Sequence, residues 1–114
     1  MTDIIGKKLV EVTKGIIPLS LYEAETSDYP YAVYDNSPEY FRTKDGIYKI
    51  VSSLLVTVYA KTFAEAKDLS DRVDSAVLTQ MNNGTFRSLT VTRADRCVEG
   101  IWQSEVRFQI TQNN

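Results

Sequence analysis

Apolar residues in the first part of the chain recur with the period of a helix. Ile5, Leu9, Val12 and Ile16 follow one another at spacings of four, three and four, which places them on one helical face. Pro18 disfavours helical backbone at the residue before it, so the helix is expected to end close to this point. The pattern therefore predicts one amphipathic helix here.

A second helix is predicted where the sequence reads Thr62-Phe63-Ala64-Glu65. This is the form of a capping box, in which the threonine hydroxyl accepts from the third helical amide and the glutamate reaches back to the cap. An apolar stripe at helical spacing follows, formed by Phe63, Ala66, Leu69, Val73, Ala76 and Val77. Asn82-Asn83-Gly84 is expected to end the helix.

The segment from Ile47 to Ala60 is long, rich in β-branched residues and apolar on both faces of a strand. One face carries Ile50, Leu54, Val56 and Val58, and the other carries Val51, Leu55 and Tyr59. A strand of this kind is central in its sheet, or has its second face covered by another subunit.

The last two segments alternate strictly, which is typical of strands with one buried and one wet face. In the first, Leu89 and Val91 oppose Thr90 and Thr92. In the second, Trp102, Val106, Phe108 and Ile110 oppose Gln103, Glu105, Arg107 and Gln109. We expect the apolar set of each strand to face the core.

Between the first helix and the long strand the pattern is irregular and aromatic. We predict a strand only at about Tyr31 to Asp35, followed by a turn at Asn36-Ser37-Pro38-Glu39 and a second turn at Lys44-Asp45-Gly46. The predicted order is therefore α-β-β-α-β-β. It indicates one α+β domain over residues 1–114, with a mainly antiparallel four-stranded sheet and two helices packed on one face.

The composition limits the cellular compartment and the classes of partner that we expect for this protein. The 114 residues include one cysteine, and no charged-then-apolar signal segment is present, so we expect a cytosolic protein without internal disulfides. No apolar run approaches the roughly 20 residues that cross a bilayer. A net charge of −2 lacks the basic excess that phosphate backbones require, which argues against nucleic acid or membrane partners.

Catalytic groups are scarce in this sequence. Histidine is absent, which removes the commonest general base and the commonest metal ligand. Cys97 has no base to activate it, and we interpret it as a structural residue. Asp68, Asp71 and Asp74 lack the glycine and the alternation of a calcium loop, so they are interpreted as a solvated helix face. The sequence therefore predicts no enzyme activity, no cofactor and no metal.

Aromatic residues remain as candidates for contact with another chain, because tyrosine combines a large ring with a polar hydroxyl and is enriched at protein interfaces. The candidates are Tyr22, Tyr29, Tyr31, Tyr34, Tyr40 and Phe41. For Tyr31, Tyr34 and Tyr59, packing within the domain is an equal alternative. Base stacking is disfavoured because the neighbouring charges are acidic.

Short motifs over most of the chain resemble the small tail-completion and tail-terminator proteins of long-tailed bacteriophages. The matching segments are Ile17-Pro18, Pro30-Tyr31-Ala32-Val33-Tyr34, Thr43-Lys44-Asp45-Gly46, Val56-Thr57-Val58-Tyr59-Ala60, Ala64-Glu65-Ala66 with Leu69, and Val106-Arg107-Phe108-Gln109-Ile110. Pro30, Tyr31 and Tyr34 are the matched positions at which the resemblance places ring contacts.

The resemblance implies a structural protein of a phage or prophage virion. Its partners would be further copies of itself in a hexameric ring, the tail tube protein and the head connector proteins, with DNA only as passing cargo. It would be located in the virion tail, or in the host cytoplasm during assembly. A head–tail connector (neck) protein of similar size and a monomeric cellular protein-binding module are the alternatives.

Overall fold

Two helices and five strands form the part of the chain that the computed structural model describes, which is residues 4–21 and 28–113. The elements are α1 (Ile4–Thr13), β1 (Leu19–Leu21), β2 (Tyr31–Thr43), β3 (Gly46–Ala60), α2 (Phe63–Gln80), β4 (Phe86–Val98) and β5 (Ile101–Asn113). The predicted α+β class is confirmed. The predicted element order is wrong by one strand, β1.

Both helices form where the sequence predicts them. In α1 the predicted face is buried at Ile5, Leu9 and Val12, while Ile16 lies beyond the end of the helix and packs partly against the core. In α2 the amide of Glu65 donates to the Thr62 hydroxyl oxygen at 3.2 Å, which satisfies one of the free amides of the first turn. Local sequence signals are therefore sufficient for both helices.

The sheet is mixed, not four-stranded and antiparallel as predicted. Its order is β1-β2-β3-β5-β4, and β1 runs parallel to β2 while every other pair is antiparallel. Three residues are too few for β1 to show an alternating pattern, and its pairing with Ala32 to Tyr34 is not local in sequence. For these two reasons the strand was not predicted.

Strand β2 is also longer than predicted. It continues through Asn36-Ser37-Pro38-Glu39, the segment predicted as a turn, and pairs with β3 as far as Thr43. Proline is tolerated in a strand where its missing N–H faces away from the neighbour, which is possible here because β3 lies on one side only of Pro38. The second predicted turn is confirmed, with Gly46 at a φ of 121°.

The two C-terminal strands differ in how far alternation predicts their burial. Val106, Phe108 and Ile110 of β5 are fully buried, as predicted. Leu89 and Val91 of β4, predicted to face the core, are instead 51% and 50% exposed. A register shift between Thr90 and Thr92 accompanies this, and Thr90 points toward α2, where its hydroxyl donates to Asp74.

The core lies between one face of the sheet and the two helices. Residues of α1 and α2 pack there with the even-numbered residues of β3 and β5, among them Leu54, Val56 and Phe108. Within residues 4–21 and 28–113, no helix lies over the opposite face of the sheet. None of the helices in this part of the chain is both long and apolar enough to cross a bilayer.

Candidate subunit-contact face

A row of three stacked tyrosine rings lies at one end of the sheet, on the face away from the helices. Tyr31 and Tyr59 are opposite each other in the β2–β3 register, and their ring centroids are 5.0 Å apart. Tyr29, which precedes Pro30 across a cis peptide bond, stacks on Tyr31 at 5.2 Å. Cross-strand aromatic pairs of this kind stabilise a sheet, and here the Tyr31 ring is stacked on both of its neighbours.

The central tyrosine of the row, Tyr31, has a perturbed hydroxyl group. Burial, followed by the neighbouring Tyr29 phenol and then Tyr59, raises the pKa of the Tyr31 hydroxyl above its ordinary value. The phenol therefore stays protonated throughout the physiological range. Such a row presents apolar rings with hydroxyl groups at their rims, which suits contact with protein more than contact with an ion.

Apolar side chains continue from the tyrosines along the same face. Val33 of β2 and Leu55 and Val51 of β3 alternate with the core residues, so they point away from the helices, and all three are half-buried. We call the surface formed by Tyr31, Val33, Val51, Leu55 and Tyr59 the uncovered face. No helix or strand among the described residues covers it.

Four exposed charges flank the uncovered face in matched rows. Asp35 of β2, Leu55 of β3 and Arg107 of β5 occupy one row of the sheet, and Glu39, Val51 and Arg87 belong to another. Asp35 and Glu39 lie on the β2 side, and Arg107 and Arg87 lie on the β5–β4 side, where the Glu105–Arg96 ion pair also belongs to this face. In the described part of the chain, none of the four has an ion-pair partner.

The other predicted contact residues are spread over different surroundings. Tyr40 and Phe41 lie far along the β2–β3 hairpin, where Tyr40 is exposed and the Phe41 ring has the Lys49 ammonium 4.6 Å from its centroid. Tyr34 is 6% exposed and belongs to the core, so little of its ring remains for another chain. Tyr22 lies outside the described residues.

Sequence reasoning did not select Val33 or Leu55 as contact residues, and for Tyr59 it left contact and packing within the domain as equal alternatives. The available signal was the apolar pattern on both faces of β3, which allowed a covering subunit but also allowed a central strand. β3 is indeed central, between β2 and β5, and its second face nevertheless has no covering layer among the described residues. The central position of the strand is therefore confirmed, and coverage of its second face by another subunit stays a prediction.

Two acidic residues of α2, Asp71 and Asp74, are engaged in ion pairs. Asp71 lies 2.7 Å from Arg93 and 3.4 Å from Lys67, and Asp74 lies 3.6 Å from Arg93. Hydrogen bonding from Arg93 holds the pKa of the Asp71 carboxyl below its ordinary value.

Across residues 4–21 and 28–113, no three His, Cys, Asp or Glu side chains converge as a metal site would require. Cys97 is exposed near the tip of the β4–β5 hairpin.

Among the solved structures that share this architecture are one from a gene transfer agent particle and one from a bacteriophage. A chain of the virion of a native gene transfer agent particle superposes with a TM-score of 0.64 at 14% identity, covering 93% of this chain and 84% of that chain. The gp17 protein of bacteriophage SPP1 superposes with a TM-score of 0.60 at 24% identity, covering 96% of this chain and 89% of that chain. The chain has the fold of these phage and phage-like proteins.

The phage resemblance seen in the sequence is thereby confirmed at the level of the fold. No protein-family model matches the sequence, and no curated protein matches it. Because both structures are below 25% identity, the agreement concerns the arrangement of helices and strands. Arguments about function have to come from the surfaces of this chain.

Proposed function

We propose that this chain is a structural subunit of a phage or prophage virion, which completes the tail by capping the tail tube and joining it to the head connector. The observation that carries the proposal is the uncovered face on a fold shared with proteins of phage and phage-like particles. The five residues of this face are half-buried within the chain, and their remaining exposed apolar surface is open to contact with a partner. A subunit of a larger assembly can bury it.

Ring assembly would require two different complementary patches on each subunit. The segment Tyr29-Pro30-Tyr31, on and beside the uncovered face, supplies one candidate. The second candidate is the exposed side of the β4–β5 hairpin or the start of α2, where Phe63 is exposed beside Trp102. Such a subunit acts by contact and not by catalysis.

Gene deletion in the parent phage tests the proposal. We expect tails of uncontrolled length that fail to join heads, seen by negative-stain electron microscopy, with loss of infectious particles. Tails of normal length that stay separate from heads would favour the neck-protein alternative. Normal, infectious virions would overturn both.

Complementation identifies the surface involved. A plasmid copy of the wild-type gene should restore infectivity, and Leu55→Asp should not, because it introduces a charge into the uncovered face. Ser75→Asp introduces the same charge on the exposed side of α2 and is the matched control. Folding of both variants is checked by circular dichroism, so that failure to complement reports on contact.

A further inference from the structure

The hairpin formed by β2 and β3 extends beyond the other strands of the sheet. Strand β5 ends at the row of Lys49, and β1 pairs only with residues 32–34 of β2, so residues 42–48 have no third strand beside them among the described residues. We call residues 41–49 the arm, which extends on the order of 10 Å past the end of β5. A two-stranded hairpin by itself is only marginally stable in water, so contact with another surface would stabilise the arm.

Charge is distributed unevenly between the arm and the rest of the chain. The arm carries three cations, Arg42, Lys44 and Lys49, and one acid, Asp45, which gives it a net charge of +2. The whole chain has a net charge of −2, so the residues outside the arm sum to −4. Arg42 and Lys44 are exposed, and neither has an ion-pair partner within residues 4–21 and 28–113. The arm is therefore a basic element on an otherwise acidic chain.

Aromatic rings accompany these cations. Tyr48 is 47% exposed, and the centroid of its ring lies 6.4 Å from that of Phe41. Tyrosine and arginine are both enriched at protein–protein interfaces. A surface that is both apolar and acidic would therefore complement the arm in both of its properties.

The uncovered face of a second copy is such a surface. Its apolar residues are flanked on β2 by Asp35 and Glu39, which have no ion-pair partner in the described part of the chain. We propose that the arm of one copy lies on the β2 side of the uncovered face of another copy, with Arg42 and Lys44 beside this acidic row. The exposed acids of α2, such as Asp68, lie on a polar helix surface and match the arm in charge only.

This contact has to join two different copies. Strands β2 and β3 continue from the uncovered face into the arm with a single register shift, so the arm extends the same sheet and does not fold back onto its own face. The contact is heterologous, because an arm on one side meets a face on the other. It would serve the proposed ring, but it concerns the free protein and is tested without a virion, so its failure would leave the proposed virion function standing.

Charge reversal on either surface tests the contact. Sedimentation velocity of the full chain at low salt should show reversible self-association that weakens as salt is added. Arg42→Glu/Lys44→Glu and Asp35→Lys/Glu39→Lys should each raise the Kd by about tenfold or more. A chain that carries all four changes has an acidic arm and a basic face, and its Kd should return to within about threefold of wild type. Contacts of arm with arm, or of face with face, would not be restored by this combination.

A matched control separates the arm from overall charge. Lys14→Glu/Arg72→Glu changes the net charge as the arm variant does, at exposed positions outside the arm and the uncovered face. It should keep the wild-type Kd to within about threefold. If it weakened association as much as the arm variant, net charge would account for both results and the proposal would fail. Circular dichroism checks that every variant is folded.

Chemical cross-linking tests which surfaces meet. In a Cys97→Ser background, Asp45→Cys labels the tip of the arm, and Ser37→Cys labels the row between the two acids of β2. A short bismaleimide should join a size-tagged Asp45→Cys protein to a Ser37→Cys protein. Ser75→Cys, on the exposed side of α2, should not be joined to the arm variant.

Three other outcomes would overturn the proposal. Cross-links that form only between like positions would show a symmetric contact. A protein that stays monomeric at every concentration would exclude a second copy, and failure of the arm variant to complement the gene deletion would then assign the arm to a foreign protein. Binding of the monomer to a labelled DNA duplex, lost in Arg42→Glu/Lys44→Glu, would assign the arm to nucleic acid.

Discussion

The Arg93 guanidinium of β4 lies 2.7 Å from the Asp71 carboxylate of α2, which ties an edge strand of the sheet to the longer helix. The same guanidinium donates to the Ser70 hydroxyl at 2.9 Å and lies 3.6 Å from Asp74. Val73 and Val77 bury one side of α2 in the core. The neighbouring edge of the helix, which carries Asp71 and Asp74, stays in partial contact with water and is held to β4 by these polar contacts.

Replacing Asp71 should make the stability of the protein less dependent on acid pH. Because the pKa of Asp71 is lowered in the folded state, its ion pair stabilises the fold above the unfolded-state pKa of about 4. This contribution is lost as the pH falls through the lower, folded-state pKa. We expect Asp71→Asn to cost less than about 1 kcal/mol at neutral pH, since the pair is half-exposed.

Urea unfolding of wild type and Asp71→Asn, measured from neutral pH down to about pH 2, checks this expectation. The two unfolding free energies should converge in acid. A difference that stays constant across the whole range would mean that Asp71 acts through packing and not through its charge.

The β4–β5 turn should tolerate a stabilising substitution. Glu99 has a φ of 52° and Gly100 a φ of 81°, so both central residues of this two-residue turn are left-handed. Asparagine adopts this conformation more readily than glutamate and precedes glycine in the favoured hairpin turns. We expect Glu99→Asn to raise the free energy of unfolding by up to about 1 kcal/mol. Gly100→Ala should lower it, and the reverse order would contradict this account of the turn.

Truncation of two apolar residues on neighbouring strands should have very different effects. Phe108→Ala removes a fully buried ring and should cost about 3–5 kcal/mol. Leu89→Ala, at a position that is half-exposed, should change stability by no more than about 0.5 kcal/mol in the monomer. Denaturant titration at low protein concentration measures both. A large cost at Leu89 would show that the alternating pattern predicted its burial correctly.

Alanine variants of two tyrosines of β2 should distinguish a residue needed for folding from a residue needed for contact with another chain. Tyr34→Ala opens the core and should destabilise the protein by about 3–5 kcal/mol. Tyr31→Ala loses stacking with Tyr29 and Tyr59, worth about 0.5–1.5 kcal/mol for each pair, and should leave the protein folded. We expect Tyr31→Ala to fail in the complementation assay although it is folded. Full complementation would remove Tyr31 from the contact residues.

Local signals in the sequence predict the helices and the C-terminal strands well. The cap at Thr62 and the apolar stripe of α2 depend on residues within a few positions of one another, and the same holds for the alternation in β5. The resemblance to phage proteins, carried by short motifs, also predicts the correct fold class.

Features that depend on distant pairing were not predictable in the same way. Strand β1 has three residues, and only the nearby edge of β2 makes it a strand. From the sequence alone Pro38 is interpreted as part of a turn. The sequence does not show that its nitrogen faces away from β3, which is the condition under which a strand tolerates proline. Leu89 has the pattern of a core residue, but its burial depends on which layers cover β4. The contact residues Val33 and Leu55 share the composition of core residues, and only the position of the helices distinguishes them.

The position of Pro38 has a consequence for solubility. On the side of β2 away from β3, the described residues leave the stretch from Ser37 to Thr43 without a neighbouring strand. An unpaired edge of this kind can recruit strands from other molecules and lead to aggregation. Proline has no N–H to offer there and interrupts the row of donors. We expect this interruption to lower the tendency of the β2 edge toward fibril-like self-association.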